Sequence, residues 1–599
     1  MQEVRIGGER RRPVAVAMTL LGAVGAMALS GCEEFALKPS SEAAALVAQQ
    51  LREDLASVRG ALLKESKPPE GARGRDGRDG RDGRDGRDGR DGRDGRDGRD
   101  GRDGRDGGDG NSGGTASPTG AEALPPSSAF AGQCSPVNTQ ADSAQRTGSL
   151  TIEKRWIRSH LDEAYLWRTE VPVIDPALPE FSDGAVEPAL VRYFRSLLTP
   201  ASTASNKARD AYSFMVRSAT AKAFVDGLGR PGDGIDWSVS SWDAPRRIHA
   251  AFVESAGPGV LAGVRRGDRV TEVDGVAIDL VARAVLQAAL FPAQAGHSRR
   301  FTLTSQEGVS REVTLTSALV AKDPVPAHTV LTGTDGAAVG YLLFNSHVPK
   351  AESTLIQAVK TFRDRSVRDL VIDLRYNSGG LIYLANQLAY MVAGPTQTAG
   401  RLFAKLRTHR ADPAERMPFL ATSCDFQNTA CTTARPLPTL GLRRVFMLTT
   451  GSTCSASEAL INALRGIGVE VVLIGGATCG KPYVFSGRSN CGYDYFAVDG
   501  QIANDRGVSD YADGLVPGGT AANGVTGCQV EEDFAHELGH GQERLLAAAL
   551  GYRVDGQCPP SRRSAGRGLV AGMGAAAGRA RVSSGKPPIE EAAILTGPR

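Results

Sequence analysis

The chain has 599 residues, far more than one hydrophobic core needs, so several domains are expected even after low-complexity stretches are set aside. Lys and Arg total 70 against 67 Asp and Glu, a formal charge of +3, which argues against a nucleic-acid binder built on a large basic field. No nucleic-acid partner is expected.

Arg10, Arg11 and Arg12 precede an apolar stretch from Val14 to Leu29 that is short for a membrane span and ends in small residues. This predicts a signal peptide over 1–31 and export of the chain; an unprocessed buried helix is the competing reading. The ending Leu29-Ser30-Gly31-Cys32 resembles the bacterial lipobox, which implies cleavage behind Gly31 and a lipid anchor on Cys32. By the same resemblance Glu33, rather than Asp, implies the outer membrane. With Cys32 set aside, Cys134, Cys424, Cys431, Cys454, Cys479, Cys491, Cys528 and Cys558 remain, an even set that predicts disulfides in an exported protein. Their pairing is open, although Cys424 with Cys431 and Cys479 with Cys491 are spaced for local loops.

Within 32–68, Ala44, Ala48, Leu51, Leu55, Val58 and Leu62 form the seam of a short coiled coil. Within 69–114, Gly takes every third position and Gly-Arg-Asp repeats eleven times from Gly74 to Asp106. Strict Gly-X-Y spacing suits a collagen triple helix and, with the coiled coil, a homotrimer; the lack of Pro suits a solvated flexible linker instead. In either form it is an extended spacer, continued by a linker over 115–149.

The folded body is expected from Leu150. Apolar residues at helical spacing predict helices from Ile152 to Trp167, Ala189 to Leu198 and Ala208 to Leu228, a helical N-terminal region over 150–230. Over 231–320 short strands and turns are expected. Here Gly267-Asp268-Arg269-Val270 followed by Asp274-Gly275 resembles the PDZ signature of bacterial proteases, which implies peptide capture by strand addition. A module that only packs is the alternative.

Three segments downstream carry chemistry. Asp369 to Ile372 reads as a buried strand that runs into Asp373-Leu374-Arg375-Tyr376-Asn377-Ser378-Gly379-Gly380, where adjacent glycines let backbone amides approach a ligand. Arg444 to Leu448 is strand-like and leads through small residues to Ser455-Ala456-Ser457-Glu458 and a helix. A hydroxyl at that helix start suits a nucleophile; Ser455 with Glu458 three residues on also suits a capping box. Val471 to Ile474 is a third buried strand, ending in Gly475-Gly476-Ala477-Thr478-Cys479-Gly480-Lys481. A Lys among small residues there can be desolvated into a base, or can reach out to solvent.

Together the three segments resemble the C-terminal processing (tail-specific) peptidase family over roughly Lys154 to Cys558. The resemblance implies an α/β multidomain fold with a mixed-sheet, ClpP/crotonase-like serine peptidase core over 328–558. It implies Ser455 as nucleophile, Lys481 as general base, Gly379 or Gly380 with Ala456 as the oxyanion hole, and Glu458 and Thr478 in support. It implies protein or peptide substrates and neither metal nor cofactor. Two positions depart from many members: Phe485 stands where a Gln orients the Lys, and Gly466 where an Asp lies eleven residues after the nucleophile.

Two other classes remain on the sequence. His536-Glu537-Leu538-Gly539-His540 spells a zinc metalloprotease motif, but it lacks the further His of the extended form and reads well as the polar start of a helix through Leu550. A catalytically inactive, peptide-binding surface stalk is the second, supported by Phe485. The tail, 559–599, is rich in Gly, Ala, Arg and Ser and is expected to be disordered.

Overall fold

The computed structural model describes residues 124–182, 184–410, 414–423 and 434–560. The expected signal peptide, Cys32, the coiled coil, the triplet repeat, the tail from 561, and Cys424 and Cys431 lie outside the described residues.

The stretch expected as linker is packed from Leu124 onward. Cys134 is bonded to Cys491, and the buried Glu153 carboxylate accepts from the Ser135 amide at 2.6 Å and from Asn138 Nδ2 at 3.0 Å. Helix α1 (Leu150–Ala164) begins where Ser149 Oγ caps the Ile152 amide at 3.3 Å. It buries Trp156, Ile157 and Leu161 in one core with Leu190, Tyr193 and Phe194 of α2 (Val186–Ser196). The helix expected over Ala208 to Leu228 is not formed as such. Its first part is strand β1 (Phe214–Arg217), which pairs antiparallel with Tyr493–Phe496, and only Ser218–Val225 is helical. Phe214 lies opposite Phe496 with stacked rings 4.7 Å apart, a long-range pairing that overrides local helical spacing.

Strands β2 (Ile235–Val239), β3 (Ile248–Val253), β4 (Arg269–Val273), β5 (Ser298–Thr304) and β6 (Ser310–Thr316) follow one another in an antiparallel sheet. With α3 (Arg283–Leu290) they enclose a separate core of Trp237, Val270, Leu286, Phe301 and Leu303. At the Asp274-Gly275 turn both residues take positive φ (52° and 80°), the geometry a two-residue hairpin requires.

The larger body holds a six-stranded mixed sheet in the order β7 (Ala327–Thr332), β8 (Ala338–Leu343), β9 (Asp369–Asp373), β11 (Arg444–Thr449), β12 (Glu470–Gly475) and β15 (Gly527–Gln529). Only the β7–β8 pair is antiparallel. Strand β10 (Leu402–Thr408) joins a second sheet with β13 (Tyr483–Phe485) and β14 (Val498–Ala503). Alternation along the main strands sends Leu370, Ile372, Met447 and Leu473 to the core shared with α4 (Ala351–Asp364), α5 (Ile382–Thr398) and α6 (Ala456–Gly466). Val371, Phe446, Val472 and Ile474 face the opposite core with Leu545 and Leu546 of α7 (Arg544–Asp555). Burial on both faces is why these strands read as unbroken apolar runs. Because β9, β11 and β12 are parallel neighbours, their carboxyl ends emerge at one edge, where open α/β sheets place ligand sites.

The small module joins this body through Arg230–Gly232 paired with Ala318–Val320. Beside that pairing, burial pushes the carboxyls of Asp233 and Glu254 up to about 7. The native state therefore holds protons there that the unfolded chain releases near pH 4, so stability contributed by these groups is present at low pH and falls as pH rises from about 4 to above 7. Asp233→Asn with Glu254→Gln is expected to flatten this fall, on the order of 3 kcal/mol per group at most, in urea unfolding measured at pH 5 and pH 8.

Candidate active site

Three loops leave that sheet edge: Asp373 to Gly380 after β9, Thr449 to Ser455 after β11, and Gly475 to Lys481 after β12. Ser455 occupies the N-cap of α6 with φ 60° and ψ −114°, a conformation that non-glycine residues rarely take and that stores of order 1–3 kcal/mol. Its Oγ is buried without a hydrogen-bond partner among the described residues. Only the other half of the capping box is a hydrogen bond, from the Ser455 amide to Glu458 Oε2 at 2.9 Å.

Glu458 is fully buried and accepts from two loops. Oε2 takes the amides of Ser455 and of Lys481 (2.8 Å); Oε1 takes the Gly480 amide (2.8 Å) and Thr478 Oγ1 (2.5 Å). Burial raises its pKa, and these donors oppose the rise. The Cys479 amide also donates to the Thr453 carbonyl at 3.0 Å, and Cys454 and Cys479 form a disulfide. The structure thus joins Ser455, Glu458, Thr478 and the backbone of Lys481. The Lys481 side chain is buried, with Nζ 4.4 Å from the centre of the Phe485 ring and 5.0 Å from that of Tyr212.

The glycine loop is held against the same place. A Cβ on Gly379 would lie 2.8 Å from the Ser455 Cβ, and at φ 110° only glycine fits comfortably. The Asn377 carbonyl accepts from the Cys454 amide and from Ser457 Oγ, each at 3.1 Å. Asn377 Oδ1 accepts the Gly379 amide (3.0 Å) and faces His347 Nδ1 at the same distance, while burial lowers the His347 pKa to about 4. The amides of Gly380 and Ala456 make no hydrogen bond among the described residues.

Behind the loop, the fully buried Arg375 bonds Asp373 at 2.9 Å and both carboxylate oxygens of Glu543 at 2.8 Å. Arg266, from the small module, donates to the Tyr376 hydroxyl at 2.6 Å and to Glu532 at 3.0 Å, and Tyr376 also bonds Glu532. Tyr212, Glu532 and Glu543 carried no sequence signal tying them to this site. Their partners lie more than 100 residues away in the chain.

Elsewhere the structure departs from sequence expectation. His536 to His540 forms a turn, with Gly539 at φ 84°, and the helix starts only at Arg544. The two imidazoles stack 5.3 Å apart and form no three-ligand cluster among the described residues. Cys479 and Cys491 do not close a local loop: Cys479 pairs with Cys454, Cys491 with Cys134, and Cys528 with Cys558. Ligand atoms of Cys454, Glu458 and Cys479 lie within 4.8 Å of one another, but sulfurs in a disulfide are not the thiolates a metal would need. Where many members of the resembled family have Asp, a Cβ on Gly466 would meet the Asn504 Cβ at 2.8 Å; the Asn504 side chain fills that space, and its Nδ2 bonds Asn462.

This layout of three loops on one sheet edge has relatives. Residues 338–496 match the model of peptidase family S41. The matched segment contains all three loops. The chain is 26% identical over 234 residues to carboxyl-terminal-processing peptidase 1, chloroplastic, of Arabidopsis thaliana, covering 38% of this chain and 42% of that protein. It is 24% identical over 183 residues to carboxy-terminal processing protease CtpB of Bacillus subtilis (strain 168), covering 30% and 36%. The chain spans less than half the length of these curated relatives. A crystal structure of a candidate S41 protease from Bacteroides fragilis NCTC 9343 superposes with a TM-score of 0.50 at 23% identity, over 67% of this chain and 97% of that one, a likeness of fold.

Removing Glu543 takes the bidentate partner from the buried Arg375 and leaves its charge balanced only by Asp373 at 2.9 Å and Glu532 at 3.4 Å. Glu543→Ala is expected to cost about 3–5 kcal/mol in urea unfolding, against under 1 kcal/mol for the exposed pair partner in Lys222→Ala.

Proposed function

We propose that this protein is an exported serine endopeptidase, anchored to a membrane by lipid on Cys32, that cleaves protein or peptide substrates recognised through their C-terminal tails. The observation that carries the reading is the buried Glu458 carboxylate, which binds the backbone of the loop bearing Ser455 and of the loop bearing Lys481. The three disulfides among the described residues support export to an oxidising compartment. The small antiparallel module supports tail capture by strand addition. For the stalk, a homotrimer through the heptads and triplets is the corresponding proposal.

In this reading the neutral amine of Lys481 takes the Ser455 proton as Oγ attacks the scissile carbonyl. The carbonyl oxygen gains the negative charge and is met by the amides of Gly380 and Ala456; Gly379 shapes the turn, its own amide being held by Asn377. The C–N bond breaks as the leaving amine receives that proton, and an ester to Ser455 remains. Lys481 then takes a proton from water, the hydroxide adds to the acyl carbon, and as the C–Oγ bond breaks Lys481 returns that proton to Ser455. Phe485 and Tyr212 flank the amine and shield it from water.

The test is hydrolysis of an unfolded protein with an apolar C-terminus by a soluble form starting after Cys32. Ser455→Ala and Lys481→Ala are each expected to lower kcat by about 10³-fold or more, with wild-type cleavage insensitive to a zinc chelator. Cleavage that survives Ser455→Ala and stops on chelation would assign the activity to His536 and His540 instead. No cleavage by wild type would favour a peptide-binding stalk.

A further inference from the structure

We propose that the Cys454–Cys479 disulfide is a positioning element of this site, so that hydrolysis requires the bond to be oxidised. The inference rests on the Ser455–Lys481 reading. Cys454 immediately precedes Ser455, and Cys479 stands two residues before Lys481; their Cα atoms are 5.2 Å apart. The bond therefore spans the two loops that must keep nucleophile and base in register, and closes a separation of only 25 residues. The Cys454 amide is bonded to Asn377 of the glycine loop and the Cys479 amide to Thr453 of the Ser455 loop, so the same two residues also link these loops through their backbone.

Reduction would do more than release a tether. Cys479 Sγ lies 3.3 Å from Glu458 Oε2. As part of a disulfide the sulfur carries no proton, so this is a contact and not a hydrogen bond. A free thiol there becomes a donor. A carboxylate has about four lone-pair sites, and Glu458 already fills them with four donors from the two loops. The new S–H would compete for the oxygen that holds the amides of Ser455 and Lys481. Cys454 is buried and Cys479 partly exposed, so an external dithiol reaches the Cys479 sulfur first. Its thiolate attacks that sulfur, Cys454 leaves as a thiolate and takes a proton, and closure of the mixed disulfide frees Cys479 as a thiol and the reagent as a cyclic disulfide. Two electrons and two protons pass to the protein, and air or oxidised glutathione reverses the step.

The experiment compares wild type, the Cys454→Ala/Cys479→Ala double variant and a Cys528→Ala/Cys558→Ala control, measuring kcat, KM and amide hydrogen exchange over 450–458 and 476–482. The expected result is a kcat at least tenfold lower in the first variant with KM within about twofold, exchange in both loops faster by at least tenfold, and neither change in the control. Dithiothreitol should bring wild type to the level of the first variant or below it, since only reduced wild type carries the competing thiol, while leaving that variant unchanged. Wild-type kcat in the first variant, or an equal loss in the control, overturns the proposal. Should wild type cleave nothing, the peptidase reading fails and exchange alone decides: joint deprotection of the two loops upholds the disulfide as their positioning element, and unchanged protection overturns it.

Discussion

A carboxylate with no access to water is tolerated only where donors replace its hydration, and Glu458 obtains those donors from backbone that belongs to two separate loops. Two of its four hydrogen bonds come from the amides of Ser455 and Lys481 themselves. Moving either loop would strip donors from a buried charge. The desolvation cost of one side chain thereby becomes a restoring force on the separation between two others, which is how the fold holds Ser455 in a backbone conformation that it would not adopt alone. The parallel strands supply the coarse placement, and Glu458 with the neighbouring disulfide supplies the fine one.

The same logic recurs one layer back. Arg375 is too deep for water and is held by Asp373 on its own loop and by Glu543 at the start of α7. It fixes the base of the glycine loop from the opposite face of the sheet. Arg266 enters this network from the small module and reaches Tyr376, three residues from Gly379. Buried ion pairs of this kind add little net stability compared with apolar packing, but breaking one is costly. Their effect is to make the position of the glycine loop depend on where α7 and the module sit.

The legibility of this site in sequence follows from the same physics. The strands before the three loops are buried on both faces, so Asp369 to Asp373, Arg444 to Thr449 and Glu470 to Gly475 announce themselves as continuous apolar runs that end abruptly in small residues. Glu458 was visible for a local reason, as the N3 partner of an N-cap. Tyr212, Glu532 and the Cys454–Cys479 pairing were not visible, because each is defined by a contact across the fold rather than by spacing along the chain. Local period misled at Ala208 to Leu228, where pairing of Phe214 with Phe496 outweighs helical spacing, and at His536 to His540, where Gly539 turns the chain before the helix begins. Residues 124–149 read as spacer because they lack apolar periodicity; what holds them is a disulfide and a buried carboxylate on α1.

The substitution at Phe485 is where sequence and structure bear most directly on each other. A polar residue at that position would orient an amine by a hydrogen bond and also solvate it. An aromatic ring 4.4 Å from Nζ, with Tyr212 on another side, confines the amine by shape and keeps bulk water from it, and that desolvation disfavours the charged form. Confinement of that sort depends on both rings keeping their places. Tyr212 is anchored by its hydroxyl to the Gly480 carbonyl at 2.8 Å, the residue whose amide Glu458 holds. The wall of the amine site and the clamp on the two loops therefore share one backbone unit, and a change that loosens Glu458 would loosen the aromatic wall with it.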